Sequence, residues 1–124
     1  MRGSGVICLV AALGLTGCEL GIGPALCTTD APPSFEVTVL DDATGENLAP
    51  DAIVWVRDGA FVDTLVVDVD VDSVYYGFFD RSGTYEVVAE HEGYVDWRRT
   101  GVEVEDGECH VITRELTARL TPAP

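Results

Sequence analysis

From Ser34 onward, apolar and polar residues alternate with a period of two. Phe35, Val37 and Val39 alternate with Glu36 and Thr38. Leu65, Val67, Val69 and Val71 alternate with Asp68, Asp70 and Asp72. Tyr85, Val87 and Ala89 alternate with Glu86 and Glu90, and Val102 and Val104 with Glu103 and Glu105. Successive side chains of a strand point to opposite faces, so each run predicts a strand with one buried and one wetted face. Ala52 to Val56 (AIVWV) is apolar on both faces, as a central strand is. The run from Cys109 to Leu120 keeps apolar residues at even positions (Ile112, Leu116, Ala118, Leu120) but has Arg114 among them. A bulge near Arg114 and Glu115 is one explanation.

Turn residues separate these runs: Asp41-Asp42-Ala43-Thr44-Gly45, Asp58-Gly59, Arg81-Ser82-Gly83, Glu92-Gly93 and Asp106-Gly107. Asp58-Gly59 between apolar runs is a two-residue hairpin signal. No segment has the 3.6-residue period of a long amphipathic helix. The pattern predicts an all-β protein, an antiparallel Greek-key β-sandwich of about seven strands.

The N-terminus is different. Met1 and Arg2 precede an apolar stretch, Val6 to Leu15, of about ten residues, within the signal-peptide range and too short to cross a bilayer. It ends in Leu15-Thr16-Gly17-Cys18, which resembles the lipobox of bacterial lipoproteins. That resemblance implies cleavage before Cys18 and a lipid on its sulfur. A plain secretory signal and a retained apolar segment are the competing readings. On the lipoprotein reading, residues 1–17 are a signal peptide, 18–33 the lipidated N-terminus and a short tether, 34–120 the sandwich and 121–124 a tail. Membrane lipid is then one partner, and the cell envelope the location. Glu19 after the lipid site, by resemblance to enterobacterial sorting, favours the outer over the inner membrane.

All 22 acidic residues lie beyond Cys18, and all seven basic residues are arginine. With Arg2 removed, six arginines face 22 acids, a net charge of −16. Such a surface disfavours nucleic acid and repels anionic headgroups. It suits a cationic partner or divalent ions, or else serves solubility. Of four cysteines, Cys8 leaves with the signal and Cys18 takes lipid. In an oxidising envelope Cys27 and Cys109 most simply pair. The loop so closed holds about 83 residues, for which chain entropy predicts roughly 4–5 kcal/mol. A metal site of Cys109, His110 and His91 is the rival, without CxxC or HxxxH spacing.

Phe35-Glu36-Val37-Thr38-Val39-Leu40-Asp41 with Thr44-Gly45, followed later by Gly83-Thr84-Tyr85-Glu86-Val87 with Gly93-Tyr94, resembles the strands and turns of carboxypeptidase regulatory-like domains. Gly101-Val102-Glu103-Val104 and Cys109-His110-Val111 continue the likeness over roughly residues 34–120. The resemblance implies a transthyretin-like sandwich of seven strands in two sheets, an accessory or binding module without catalysis or cofactor. Active relatives carry motifs that this chain lacks. It ends Leu120-Thr121-Pro122-Ala123-Pro124, not Tyr-Arg-Gly-Ser, and neither His91 nor His110 opens a His-x-x-Glu.

Two candidate sites remain. Asp68, Asp70 and Asp72, at i, i+2 and i+4 of the expected strand, offer hard oxygen ligands to Ca²⁺. Ser73 and Phe79 stand where an EF-hand needs Gly and Glu, and a solvated edge strand explains the carboxylates equally well. Trp97 beside Arg98 and Arg99 is the one basic-aromatic cluster, a contact surface for a protein or glycan. Two functions follow: a non-catalytic, membrane-anchored envelope module, or a Ca²⁺-dependent adhesion or carbohydrate-binding module.

Overall fold

The computed structural model describes Cys27 and residues 29–124. The unit Ala31–Pro124 holds eight strands. They are β1 (Pro33–Asp41), β2 (Ile53–Asp58), β3 (Phe61–Thr64), β4 (Val66–Val67), β5 (Tyr75–Phe79), β6 (Gly83–Glu90), β7 (Trp97–Val104) and β8 (Arg114–Leu120). Two four-stranded sheets result, in the orders β8-β1-β5-β4 and β3-β2-β6-β7. The all-β sandwich expected from the alternation is the observed architecture. Pairing is antiparallel except between β1 and β8, which run parallel with Arg114 beside Phe35 and Leu120 beside Asp41. Parallel neighbours need a crossover between them. Here nearly the whole domain serves as that crossover.

The inward faces are those of the period-two pattern. Phe35, Val37 and Val39 of β1 meet Val54 and Val56 of β2, Tyr85, Val87 and Ala89 of β6, Val102 and Val104 of β7, and Leu116, Ala118 and Leu120 of β8. Each fully buried valine or leucine contributes about 1.5–3 kcal/mol relative to an exposed one. The β2–β3 hairpin pairs Asp58 with Phe61 around Gly59 and Ala60, with Gly59 at a φ of 60°. That places the turn one residue beyond the expected Asp58-Gly59 pair.

Four expectations need correction. The Asp68–Asp72 alternation is not a strand: β4 ends at Val67, and the Asp68 carbonyl accepts N–H bonds from Val71, Asp72 and Ser73 at 3.1–3.3 Å. Aspartate side chains compete with the sheet ladder by bonding nearby backbone. Asp68 does so to the Asp70 N–H at 3.1 Å and Asp72 to the Val74 N–H at 3.2 Å. Val69 and Val71 are left 49% and 69% exposed. Second, Tyr75–Phe79, an aromatic run without alternation, is a strand. Its Phe78, at a φ of 27°, lies against Phe35, Phe61 and Tyr85.

Third, the parity break near Arg114 is no bulge. The strand begins there, after a loop closed by the Gly107 N–H to the His110 carbonyl at 2.7 Å. Fourth, a bulge does occur, unanticipated, in β7. Tyr85 pairs with Val102 but Val87 pairs with Arg99, so β7 carries an extra residue. Gly101 absorbs it at a φ of 67°, left-handed backbone that glycine adopts without steric cost. Trp97 and Arg99 therefore share the face of Val102 and Val104.

Candidate functional site

The outward face of the β3-β2-β6-β7 sheet gathers aromatic and charged side chains in two rows. With Val54 and Val56 in the core, alternation turns Ile53, Trp55 and Arg57 outward. One row runs Thr64, Trp55, Val88, Arg98 across the four strands, and the next runs Val62, Arg57, Glu86. Val88 is 0% exposed although it lies outside the sandwich core. Its cross-strand neighbours Trp55 and Arg98 flank it on either side. The indole Nε1 donates to Glu90 Oε2 at 3.1 Å, and the Arg57 guanidinium lies 5.7 Å from the ring centroid, within cation–π range.

Glu86 is the hinge of the cluster. One carboxylate oxygen accepts from Arg57 and the other from Arg98. The arginine side chains are 50% and 48% exposed, and Glu86 beneath them only 15%. The Arg98 hydrogen bond chiefly, with Arg57 in support, holds the Glu86 carboxyl below the usual glutamate range. Each guanidinium has five N–H donors and spends one here, so donors remain on both sides of the pair. Ile53 and Val62 extend the platform as exposed apolar groups.

Other polar clusters act as joints between elements. Tyr85 donates to the Arg81 carbonyl at 2.9 Å and accepts from Arg81 Nη1 at 2.8 Å. Arg81 also bonds Asp58 at 3.3 Å and lies 3.9 Å from the Phe61 ring centroid. Gly83 is required there, because a Cβ would sit 2.7 Å from Asp58 Oδ2. Tyr94 donates to Asp41 Oδ2 at 2.5 Å, while Asp41 Oδ1 accepts the N–H groups of Ala43 and Thr44. These bonds, that from Tyr94 foremost, hold the Asp41 carboxyl below its ordinary value. Two turns far apart in sequence are thus tied. On the other sheet, an open groove of about 360 Å³ runs past Glu36, Thr38, Glu115 and Thr117.

The sequence-derived candidates are distributed as follows. Cys18 lies outside the described residues. Cys27 and Cys109 are both disulfide-bonded. Asp68, Asp70 and Asp72 lie on a turn with two of their carboxylates bonded to backbone, and among the described residues no three His, Cys, Asp or Glu side chains form a metal-holding group. His91 Nδ1 lies 2.7 Å from the Glu92 carbonyl and His110 Nδ1 2.9 Å from Asp80 Oδ2. The Trp97-Arg98-Arg99 surface is divided. Trp97 packs against the core with Arg99 5.0 Å from its ring centroid, whereas Arg98 alone reaches the outward face. Trp55, read from sequence as part of a strand apolar on both faces, is the aromatic on that face. Its signal was the shared parity with Arg57.

Among the described residues no helix is long and apolar enough to cross a membrane. No protein-family model matches the chain, and no curated protein matches it. Among solved structures it is similar to a protein from Bacteroides uniformis named a "putative carbohydrate binding protein", with a TM-score of 0.47 and 16% identity. The match covers 73% of this chain and 42% of that one, so the chain spans less than half of that protein's length.

Proposed function

We propose that this chain is a non-catalytic binding module of the bacterial cell envelope, held at a membrane by lipid on Cys18, and that it binds a glycan through the outward face of β3-β2-β6-β7. The observation that carries this reading is the Trp55, Arg57, Glu86 and Arg98 cluster. It places an aromatic ring beside fixed hydrogen-bonding groups on rigid central strands, the composition of a specific binding surface. The serine and histidine groups a hydrolase would use are employed as joints instead. Ser34 accepts from the Arg81 N–H at 2.9 Å and donates to its carbonyl, Ser82 bonds Asp106, and His110 bonds Asp80. The likeness to carboxypeptidase regulatory-like domains supports an accessory role, since its two motifs meet in the Tyr94–Asp41 bond.

The Leu15-Thr16-Gly17-Cys18 run supports the anchor. Dual or triple acylation at such a cysteine holds a protein firmly, where one chain binds reversibly. Cys18→Ala should move the protein from the membrane to the soluble fraction, and unchanged retention would sink the anchor. Calorimetric titration of the purified protein with envelope oligosaccharides tests the binding role. Heat of binding that Trp55→Ala abolishes supports it, and no binding of any glycan refutes it.

A further inference from the structure

Glu86 sits between two arginines and Glu90 at the indole edge, so the platform neutralises itself in place. Two guanidiniums and two carboxylates alternate over Trp55, Arg57, Glu86, Glu90 and Arg98. Each ion is partnered, yet each keeps unspent hydrogen-bonding capacity, donors on the arginines and lone pairs on the carboxylates. A single charged ligand group meets no net charge to pair with. A hydroxyl, which donates and accepts at once, meets both kinds of partner within reach. Beyond the site, the −16 net charge surrounds the face with a potential that repels polyanions.

The indole adds a shape requirement. Its ring carries a negative face, which attracts the weakly positive C–H groups on the flat side of a sugar ring. Trp55 and Arg57 lie on one strand two positions apart, so their Cα atoms are about 7 Å apart. Trp55, Val88 and Arg98 span two strand spacings, about 9.5 Å. The area between them matches one or two pyranose rings. The ions that frame it are held by one another, so little order has to be imposed on binding.

We infer that the outward face of β3-β2-β6-β7 selects uncharged, hydroxyl-rich sugar rings, one face stacked on Trp55 and hydroxyls bridging Arg57, Arg98, Glu86 and Glu90. This rests on the glycan-binding reading and names its ligand class. Acidic and amino sugars are disfavoured, the first by the field and by Glu86, the second because both carboxylates already hold partners.

The test uses the full chain, purified from membranes in a sugar-free detergent and titrated with four probes. These are a neutral glucose or mannose oligosaccharide, an oligogalacturonate, a chitosan oligomer and oligolysine. The neutral oligosaccharide should bind most tightly, with affinity changing less than about twofold between low and high salt, because no net ion pairing is made. Trp55→Ala and Arg98→Gln should each weaken it about tenfold, one lost contact of that size. Ile112→Ala, on an exposed loop elsewhere, should leave it unchanged. Should Trp55→Ala fold poorly, Arg98→Gln and the salt dependence carry the test. Tighter, salt-sensitive binding of oligogalacturonate or chitosan would overturn the uncharged class while leaving glycan binding intact. Preference for oligolysine, or no binding by any sugar, would overturn both.

Discussion

Replacing Tyr75 by phenylalanine removes one oxygen and isolates one bond between the sheets. Tyr75 lies on β5 of one sheet at 2% exposure. Its hydroxyl donates at 2.7 Å to the carbonyl of Ala52, immediately before β2 of the other sheet. The ring stays in place in Tyr75→Phe, so packing is conserved and the change is polar. The Ala52 carbonyl is left buried without that donor, which costs about 1–3 kcal/mol. For a domain of this size, 1 kcal/mol corresponds to roughly 4–8 °C in Tm. A loss of about 2 kcal/mol should therefore lower Tm by about 8–16 °C, read by circular dichroism at neutral pH. Tyr76→Phe, one residue along and without a side-chain partner, is the control and should move Tm by less than about 2 °C.

An alkaline arm checks the same group by titration. Burial raises the Tyr75 phenol above its ordinary value of 10.0. A folded-state value above the unfolded one gives stability that is complete below pH 10 and lost as pH rises through the folded value. Wild type should lose stability above pH 10, and Tyr75→Phe should lose less. Part of the loss persists in the variant, because burial raises Tyr85 as well. A Tyr75→Phe protein within about 2 °C of wild type, or equal drops for both substitutions, would refute the inter-sheet bond as a stabilising element.

Three further outcomes are expected. Reducing the Cys27–Cys109 link expected from the sequence should cost roughly 4–5 kcal/mol by loop entropy, seen as a large drop in Tm; free-thiol labelling of both cysteines in native protein would contradict the pairing. Asp41, held below its ordinary carboxyl value chiefly by Tyr94, contributes stability above the unfolded value near 3.8 that is lost as pH falls through the folded value. Tyr94→Phe should therefore flatten the fall in Tm below about pH 4, and an unchanged acid slope would count against the contact. Gly107→Ala would place a Cβ 2.5 Å from the His110 carbonyl oxygen, so the loop must shift at a cost of about 1–3 kcal/mol, whereas Glu108→Ala on the exposed side should leave Tm unchanged.

Much of the sandwich was legible because burial on one face writes a period of two into the sequence. Phe35, Val37 and Val39, and Tyr85, Val87 and Ala89, are core residues by that pattern and in the structure. The pattern failed where local chemistry outweighed it. Asp68, Asp70 and Asp72 alternate with valines, but carboxylates that bond their own backbone end the strand. Tyr75–Phe79 has no alternation, yet it pairs with both β1 and β4. The candidate site was harder to read. Trp97, Arg98 and Arg99 are neighbours in sequence, and neighbours on a strand face opposite ways.

The sequence alone determined the class of the fold, the residues of the core and the acid balance of the surface, since each follows from counting or from a period along one chain. It also contains the Cys18 signal, read from contiguous residues. Tertiary structure decided which strands adjoin, the parallel β1–β8 pair and the extra residue at Gly101. It alone assembled the Trp55 platform, whose members come from three strands: Trp55 and Arg57 on β2, Glu86 on β6 and Arg98 on β7. Cross-strand register is a property of pairing between distant segments, and no local pattern carries it.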